Sequence, residues 1–189
     1  MGKIGSFTHV SLDGFFAGPN GEIDWFKGGD EEDRAFAAAA SGGSGTLVFG
    51  RTTYEMMASY WPTPEAREDY PDVARVMNAA PKIVFSRTMG PVKDGPVWKN
   101  VRVIRDIGRD DILKMKRNAD QDFVILGSGS VVQQLARLGL IDEFQLMVNP
   151  IVLGEGKYLF RDVGRMNLKL LESRTFRNGK VFLKYAPAL

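Results

Sequence analysis

The sequence predicts a three-layer α/β/α domain, built on a mostly parallel mixed sheet that is finished by a C-terminal antiparallel hairpin. The first observation behind this prediction is the alternation of short apolar runs with helical patterns, in the order β, α, β, α, β, α, β. The second is that three of the apolar runs end in small, hydroxyl or basic residues, which places polar corners at one edge of the sheet. The third is an Asn-Gly pair between two alternating segments near the C-terminus, which is a strong hairpin signal.

The chain contains 189 residues, and 44% of them are hydrophobic. A chain of this length buries about 70% of the surface that its unfolded form exposes, so we expect a single domain over residues 1–189. The 25 Lys and Arg residues and the 23 Asp and Glu residues are mixed along the sequence and give a net charge of +2. Because there is no basic stripe, the expected partner is a small molecule and not a nucleic acid.

Cysteine is absent, and His9 is the only histidine. These counts exclude disulfides, thiolate metal sites and multi-histidine metal sites, and they fit a reducing cytoplasm, which is the expected location. No apolar run approaches the roughly 20 residues of a membrane span, so no membrane partner is expected. We interpret His9 as a strand residue with a satisfied ring and not as a catalyst.

The first predicted strand runs from Ile4 to Leu12, where apolar residues alternate loosely. A glycine-rich loop follows over residues 13–22 and carries two aromatic side chains, which suggests that it covers something. Residues 30–40 combine an acidic first turn with an alanine-rich body, which is the pattern of a helix. The Ser/Gly stretch at 41–45 ends this helix.

The middle of the chain repeats a pattern of strand followed by helix. A strand over 46–50 leads into a helix that begins near Thr52, and a second helical pattern runs from about 61 to Asn78 with a break at Pro71. The remaining predictions for this part are strands at 82–86, 101–104 and 122–126 and helices at about 109–118 and 130–138, with Gly139 as the cap of the last helix.

In the C-terminal part of the chain, the predicted strands are no longer separated by helices. A strand is predicted at 144–148 and a loop at 150–156. Segments 168–176 and 181–185 alternate in polarity, and Arg177-Asn178-Gly179-Lys180 joins them. The sequence therefore predicts an antiparallel hairpin at the edge of the sheet.

Three strand ends carry residues that are suited to hold phosphate. They are Gly50-Arg51-Thr52-Thr53, Ser86-Arg87-Thr88 and Gly127-Ser128-Gly129-Ser130, the last of which continues into Val131. A helix start presents unpaired backbone N–H groups and a positive dipole end, glycine lets the backbone approach a ligand, and arginine and hydroxyl groups add donors. Ordinary turn and capping chemistry explains any one of these corners alone, but their recurrence favours a phosphate site.

The order of these motifs resembles the dihydrofolate reductase-like superfamily, and most closely its branch that contains the C-terminal reductase domain of the riboflavin-biosynthesis deaminase/reductase. The resemblance covers nearly the whole chain. Besides the three corners, it rests on Ser11-Leu12-Asp13-Gly14, on Leu140-Ile141-Asp142-Glu143 and on Asn149-Pro150-Ile151-Val152-Leu153-Gly154-Glu155-Gly156. The resemblance implies an NADPH-binding three-layer domain.

The resemblance also assigns the three corners to the parts of NADPH. The corner at 50–53 looks like the part that binds cofactor phosphate, and Arg51 and Thr53 are the main candidate contacts to it. The corner at 86–88 resembles the one that takes the 2′-phosphate, and the guanidinium fork of Arg87 suits a phosphate dianion, which favours NADPH over NADH. Residues 127–131 would receive the pyrophosphate at a helix start. The alternatives are a solvated loop residue at Arg87 and a tight helix entry without ligand at 127–131.

Candidate substrate residues lie in the first part of the chain. Asp13 ends the first strand, where its carboxylate is placed to accept hydrogen bonds from an amino-pyrimidine or pterin edge, and the rings of Phe15, Phe16 and Trp25 would cover a flat substrate. In dihydrofolate reductases an acidic residue follows the loop tryptophan, and Asp30 stands in a similar place, so Asp13 and Asp30 are the candidate catalytic residues. The alternatives are an Asx-type turn at Asp13, an N-cap at Asp30 and core packing of the three rings.

The resemblance implies an NADPH-dependent reductase that moves a hydride to a C=N or C=O bond of a small heterocycle. Such an enzyme would be similar to 5-amino-6-(5-phosphoribosylamino)uracil reductase or to dihydrofolate reductase. One departure leaves the substrate open, because Gly127 stands where riboflavin reductases usually carry a glutamate. The alternative function is a non-catalytic module that binds NADPH or a flavin. We also expect a homodimer, because the hairpin leaves a strand edge at the end of the sheet.

Overall fold

The computed structural model describes residues 1–26, 32, 35, 36, 39 and 45–188, and its main feature is a mixed sheet of eight strands. These strands are β1 (Ile4–Ser11), β3 (Thr46–Gly50), β4 (Lys82–Phe85), β5 (Val101–Ile104), β6 (Phe123–Gly127), β7 (Glu143–Asn149), β9 (Leu168–Thr175) and β10 (Val181–Pro187). Two short strands, β2 (Phe15–Ala17) and β8 (Lys157–Tyr158), pair in a separate sheet. The order of the main sheet is β5-β4-β3-β6-β1-β7-β10-β9.

The helices lie between the strands, as the sequence predicts. They are α1 (Arg51–Tyr60), α2 (Pro64–Asp69), α3 (Pro71–Ala79), α4 (Arg109–Arg117) and α5 (Gly129–Arg137), with a 3-10 turn at Asp24–Phe26. The predicted break at Pro71 separates α2 from α3. Within the predicted helix at 30–40, the described residues 32, 35, 36 and 39 are helical, and the others lie outside the described part. None of the described helices is long and apolar enough to cross a membrane.

The six strands from β5 to β7 run parallel, and β10 then pairs antiparallel with both β7 and β9. This arrangement confirms the predicted α/β class and the antiparallel hairpin at its C-terminus. In the hairpin, the N–H of Phe176 donates to the carbonyl of Lys180 at 2.9 Å, and Gly179 has a φ of +84°. The loop between these two residues follows the three-residue hairpin pattern, in which glycine takes the left-handed position without strain.

Helices cover both faces of the sheet because successive strand residues point to opposite sides. Val48 and Ile125 are buried in the cluster that includes side chains of α4 and α5. Leu47, Phe49 and Val84 point the other way and are buried against side chains of α1 and α3. The two clusters are the two interfaces of a three-layer structure.

The end of α5 confirms the cap that was predicted at Gly139. Gly139 has a φ of +65°, and its N–H donates to the carbonyl of Ala136 at 3.0 Å. The N–H of Leu140 donates to the carbonyl of Leu135, also at 3.0 Å. This pair of bonds is a Schellman motif, which ends the helix and directs the chain into β7.

The predicted loop at 13–22 contains one element that the sequence did not reveal. Phe15 pairs with Tyr158 and Ala17 with Lys157, so part of this loop is the strand β2. A strand of three residues is too short for an alternating pattern to show. The pairing brings together two connections at the carboxyl edge of the main sheet, one after β1 and one after β7.

An ion pair joins three elements at the opposite, amino-terminal edge of the sheet. Oδ2 of Asp142 accepts a hydrogen bond from Nζ of Lys116 at 2.6 Å and another from the N–H of Ile4 at 2.7 Å. Lys116 is only 5% exposed, and its Nζ also lies 3.4 Å from the carbonyl of Leu140. Asp142 therefore has a structural role, since it connects α4, β1 and the entry to β7.

Lys82 at the start of β4 is a second buried cation. It is 1% exposed, and its Nζ donates to the carbonyls of Asn78 (3.1 Å), Ala80 (2.7 Å) and Lys99 (3.2 Å). The same ammonium lies 4.3 Å from the ring centre of Trp98. Burial disfavours the charged form and lowers the pKa of Lys82 to about 8, although nearby Asp94 opposes this shift.

We expect the free energy of unfolding to rise as the pH increases from about 8 to 10.5, because the unfolded chain then holds the Lys82 proton more tightly than the folded protein does. Lys82→Met should lack this rise. Urea unfolding of both proteins at about pH 7.5 and pH 10 measures the difference, which we expect to be about 2 kcal/mol. The same pH response in both proteins would contradict the lowered pKa.

Candidate functional site

The three polar corners meet in one cleft at the carboxyl ends of β3, β4 and β6. The volume of the cleft is about 390 Å³. Its lining residues are Gly50, Arg51, Thr52, Phe85, Ser86, Arg87, Arg105, Ile107, Ser128, Ser130, Val131 and Gln134. The corners become neighbours because adjacent parallel strands end at the same edge of a sheet.

Two of the corners touch each other at Gly50. A Cβ atom on Gly50 would lie 2.7 Å from Oγ of Ser128, which is closer than real Cβ contacts. Glycine at this position therefore allows the starts of α1 and α5 to approach one another. A larger residue would have to push Ser128 away from the wall of the cleft.

Both helices that begin at the cleft, α1 and α5, lack a side-chain cap within the described part of the chain. Ser128 stands at the N-cap position of α5, but its hydroxyl pairs with that of Ser130 at 2.6 Å. An uncapped helix start presents first-turn N–H groups and the positive end of the helix dipole. Two such starts at one cleft favour a bound anion.

Arginine side chains add positive charge to the cleft. Nε of Arg51 donates to Glu55 at 2.7 Å, and its Nη1 donates to Oγ1 of Thr88 at 3.1 Å. The side chain of Arg87 is 82% exposed, and its Nε lies 3.5 Å from Oδ1 of Asp106. An exposed ion pair of this kind is weak, so a phosphate dianion is able to compete for Arg87.

Sequence reasoning missed four residues of the lining, namely Phe85, Arg105, Ile107 and Gln134. Arg105 is the most informative of them. Its Nη1 donates to the carbonyl of Arg87 at 2.8 Å, which fixes the corner at 86–88 and brings a third guanidinium to the cleft. The sequence signal that could have indicated Arg105 was its position directly after the predicted strand at 101–104. That strand ends at the same edge of the sheet as β4.

Four of the predicted cofactor residues do not line the cleft. The hydroxyl of Thr88 accepts a hydrogen bond from Arg51, and Thr53 packs on Gly127, where a Cβ atom would lie 3.1 Å from Oγ1 of Thr53. Gly127 has a φ of +129°, and its peptide bond to Ser128 is cis. The ring of Phe16 covers Gly129, since a Cβ atom there would overlap it. Gly127 and Gly129 are therefore not part of the cleft lining, and the binding of a ligand by residues 127–131 stays a prediction.

Asp13 contacts backbone donors of the connection between β7 and β8. Its Oδ1 accepts from the N–H of Leu153 at 3.2 Å and its Oδ2 from the N–H of Gly154 at 2.8 Å. A hydrogen bond from the Ser11 hydroxyl, together with these two backbone bonds, lowers the pKa of Asp13, although partial burial opposes the shift. Asp13 is therefore an ionised acceptor at neutral pH and not a proton donor. These contacts are not the Asx-type turn that was the alternative, because the N–H of Phe15 donates to Oγ of Ser11 at 3.0 Å and not to Asp13. Asp13 instead holds a connection that is distant in the chain.

The predicted aromatic residues have separate surroundings. Phe15 is 4% exposed and stacks on Tyr158 with 4.1 Å between ring centres, which corrects the prediction that its ring covers a substrate. Phe16 lies on Gly129 at the start of α5. Trp25 is half-buried, and its Nε1 donates to the carbonyl of Glu22 at 3.2 Å. Core packing thus explains Phe15, while Phe16 and Trp25 lie closer to the surface.

His9 lies among aromatic rings on β1. Its ring stacks on Phe26 with 4.5 Å between centres and meets the edge of Phe7 at 5.6 Å. Asp30, the other candidate catalytic residue, lies outside the described residues. No group of three or more His, Asp or Glu side chains able to hold a metal ion occurs among the described residues.

The geometry of the cleft suits a ligand that carries phosphate. Two uncapped helix starts and three guanidinium groups converge on the cleft, and glycine at position 50 lets the two helix starts approach each other. Helix starts and guanidinium groups donate hydrogen bonds to phosphate oxygens, whereas an apolar pocket has no such donors. The family model of the RibD C-terminal domain matches residues 3–182 of this chain. The chain belongs to the RibD C-terminal domain family.

Relatives of this RibD C-terminal domain protein cover almost its full length. YyaP of Bacillus subtilis strain 168, an uncharacterized protein, is 34% identical over 177 residues, which are 93% of this chain and 90% of YyaP. A pyrimidine reductase-like protein from Corynebacterium diphtheriae superimposes with a TM-score of 0.67 and 17% identity, over 100% of this chain and 92% of that one. Dihydrofolate reductase from Enterococcus faecalis, solved with NADP(H) and RAB-propyl, gives a TM-score of 0.66 and 17% identity over 98% and 96%. These structures confirm the dihydrofolate reductase-like fold.

Proposed function

We propose that this protein is an NADPH-dependent reductase of a C=N or C=O bond in a small pyrimidine- or pterin-like heterocycle. Membership of the RibD C-terminal domain family supports the reductase class and a pyrimidine-type substrate. The structural observation that carries the proposal is the convergence of the three polar corners on one cleft. The bound NADP(H) of the Enterococcus faecalis dihydrofolate reductase, which shares the fold, supports the choice of cofactor.

Each side of the cleft has its own role in this proposal. The start of α1, with Arg51, binds phosphate that NADH and NADPH share, and the start of α5 binds the pyrophosphate. Arg87 and Arg105 bind the 2′-phosphate that distinguishes NADPH. When bound, NADPH supplies the hydride, and the residues of the chain position the reactants and exclude water. On the substrate side, Asp30, Phe16 and Trp25 remain proposed contacts.

Ligand-dependent melting tests the proposal most directly. Binding to the folded state raises the apparent stability by RT ln(1 + [L]/Kd), so melting temperatures with NADPH, NADH, FMN and folates rank the ligands. We expect the largest increase with NADPH. Loss of NADPH absorbance in the presence of a pyrimidine or pterin substrate then tests turnover. Tight binding of FMN with no effect of NADPH would instead support the non-catalytic flavin-binding module.

Arg51→Ala should weaken the binding of NADPH and NADH about equally, by roughly tenfold, because a charge-assisted hydrogen bond to shared phosphate is lost. The unliganded protein should lose only about 0.5 kcal/mol, since the Arg51–Glu55 pair is half exposed. Titration calorimetry with both dinucleotides measures the affinities. Arg75→Ala, which removes an exposed arginine that pairs with Asp72 on α3, is the matched control and should change neither affinity.

A large loss of stability in Arg51→Ala with unchanged affinities would make Arg51 a structural residue. The hydrogen bond from Arg51 to Thr88 is the contact that would then explain the loss. Melting of the unliganded variant separates these two results.

We also propose that the protein is a homodimer that pairs through β9. All eight residues of β9 are exposed at the edge of the sheet, including Leu168, Leu170 and Leu171 at 37–48% exposure. No described strand pairs with the outer edge of β9, and a strand edge of this kind favours pairing with another chain. Light scattering at micromolar concentration should give twice the 21.0 kDa mass of the chain, and Leu170→Lys should lower it toward 21.0 kDa. Leu12→Lys is the control, at an exposed leucine just after β1, which β7 and β10 separate from β9. A monomeric unmutated protein would refute the dimer.

A further inference from the structure

Contacts of the two-stranded sheet of β2 and β8 link Asp13 to the start of α5, which lines the cleft. Asp13 fixes the connection that leads into β8, through the N–H groups of Leu153 and Gly154. Just after β8, the N–H of Leu159 donates to the carbonyl of Gly14 at 3.2 Å. The connection after β1 is therefore attached to both sides of β8.

The same small sheet is attached to α5. The amide of Gln133 on α5 donates to the carbonyl of Tyr158 at 2.8 Å, and the ring of Tyr158 stacks on Phe15. The next residue, Phe16, places its ring on Gly129, the first residue of α5. Gly129 lies between Ser128 and Ser130, and both of these line the cleft.

We propose that Asp13 is a positioning residue for the cofactor cleft: it holds the β2–β8 sheet so that the Phe16 ring stays on Gly129 and fixes the start of α5. This inference rests on the proposed function, because it assumes that the start of α5 binds the pyrophosphate. The Phe16 ring covers the back of Gly129, so water is excluded there and the first-turn N–H groups keep a fixed direction toward the cleft. A fixed donor direction strengthens anion binding, because no reorganisation is needed when the ligand arrives.

Both carboxylate oxygens of Asp13 are needed for this role. Each oxygen accepts from a different backbone N–H, so an aspartate at this position satisfies both donors. An asparagine has one oxygen, and its NH₂ group would face the second N–H donor. Asp13→Asn therefore detaches one side of the connection into β8 while it preserves the size of the side chain.

The test is a double-mutant cycle on the affinity for NADPH, with Asp13→Asn, Phe16→Ala and the double variant. We expect the Kd for NADPH to rise about fivefold in Asp13→Asn and about tenfold in Phe16→Ala. The double variant should stay within twofold of Phe16→Ala, because Asp13 acts through Phe16. Asp24→Asn, which neutralises an exposed carboxylate after β2, is the matched control and should leave the Kd unchanged.

Three results would overturn the inference. These are an unchanged Kd in Asp13→Asn, effects of the two substitutions that multiply in the double variant, and loss of turnover in Asp13→Asn with NADPH affinity kept, which would instead indicate direct contact with substrate. If Phe16→Ala does not fold, Phe16→Leu takes its place in the cycle and should raise the Kd by a smaller factor. General destabilisation does not imitate the expected pattern, because it acts independently at the two positions.

Amide hydrogen exchange of the unliganded protein separates this inference from the proposed function. Asp13→Asn should speed exchange in peptides that cover residues 15–17 and 129–132, and should leave α3 and α4 unchanged. If the unmutated protein binds neither dinucleotide, the proposed function fails, and the exchange result alone decides the positioning role. Faster exchange at 129–132 then supports it, and unchanged exchange there overturns it.

Discussion

Arg87→Ala is expected to remove most of the preference of this protein for NADPH over NADH, while the affinity for NADH stays nearly unchanged. The reason is that a guanidinium bound to a phosphate dianion contributes only when the 2′-phosphate is present. A charge-assisted hydrogen bond contributes about 1.5–3 kcal/mol, which is roughly tenfold to a hundredfold in affinity. Because Arg87 is 82% exposed, we expect the single substitution to lower the affinity for NADPH by about tenfold. The loss of affinity should be larger when Arg105 is also replaced.

Titration of both dinucleotides at low and high salt measures this effect. Arg87→Lys should keep part of the preference, because it keeps the charge but not the planar fork. Arg102→Ala removes an exposed arginine on β5 outside the cleft lining and should leave the preference intact. Equal affinities for NADH and NADPH in the unmutated protein would show that the corner at 86–88 does not bind a 2′-phosphate.

Asp142→Ala is expected to give the largest loss of stability, about 2–4 kcal/mol in the free energy of unfolding. The substitution leaves the buried ammonium of Lys116 without its carboxylate and the N–H of Ile4 without its acceptor. The Asp142 side chain is 35% exposed, but its removal is costly because the charge of Lys116 stays out of water. Urea unfolding measures the change, and Asp72→Ala, which breaks an exposed pair with Arg75, should cost less than about 0.5 kcal/mol.

The double variant Lys116→Met/Asp142→Ala tests the physical reason for this loss. It should lose less stability than the sum of its two single variants, because no unpaired charge then remains buried. Additive losses would mean that the two side chains act independently. In that case the hydrogen bond from Ile4 to Asp142 would account for the effect of Asp142→Ala.

Most of the secondary structure could be predicted from the sequence, because it follows from local patterns. The apolar run at 46–50, the prolines at 64 and 71 and the glycines at 139 and 179 act on their immediate neighbours. The predicted elements in the described part of the chain appear within a residue or two of their predicted places, apart from α2, which begins at Pro64 and not at 61. The exceptions are the strands β2 and β8 and the 3-10 turn at Asp24–Phe26, which were not predicted. Each has three residues or fewer, and β2 and β8 pair across about 140 residues of chain, so no local pattern could indicate them.

The candidate site was only partly predictable, for a related physical reason. Glycine, hydroxyl and basic residues after apolar runs indicate strand ends, and parallel pairing makes those ends meet, so Gly50, Arg51, Ser86, Arg87 and Ser128 do line one cleft. The sequence does not show which side of a corner faces the ligand. That depends on the direction of each side chain and on what packs behind it.

By itself, the sequence determined the class of the fold, the order of strands and helices along the chain, and the three corners. The reason is that the periodicity of hydrophobic residues, together with glycine, proline and capping residues, fixes the local structure of the few residues around them. Only the tertiary structure decided that Arg105 completes the cleft, that Phe16 covers Gly129 and that Asp13 holds a connection 141 residues away. These contacts join segments that are distant in the chain. Their free energy comes from the packing of the whole sheet, so no short stretch of sequence contains the information that specifies them.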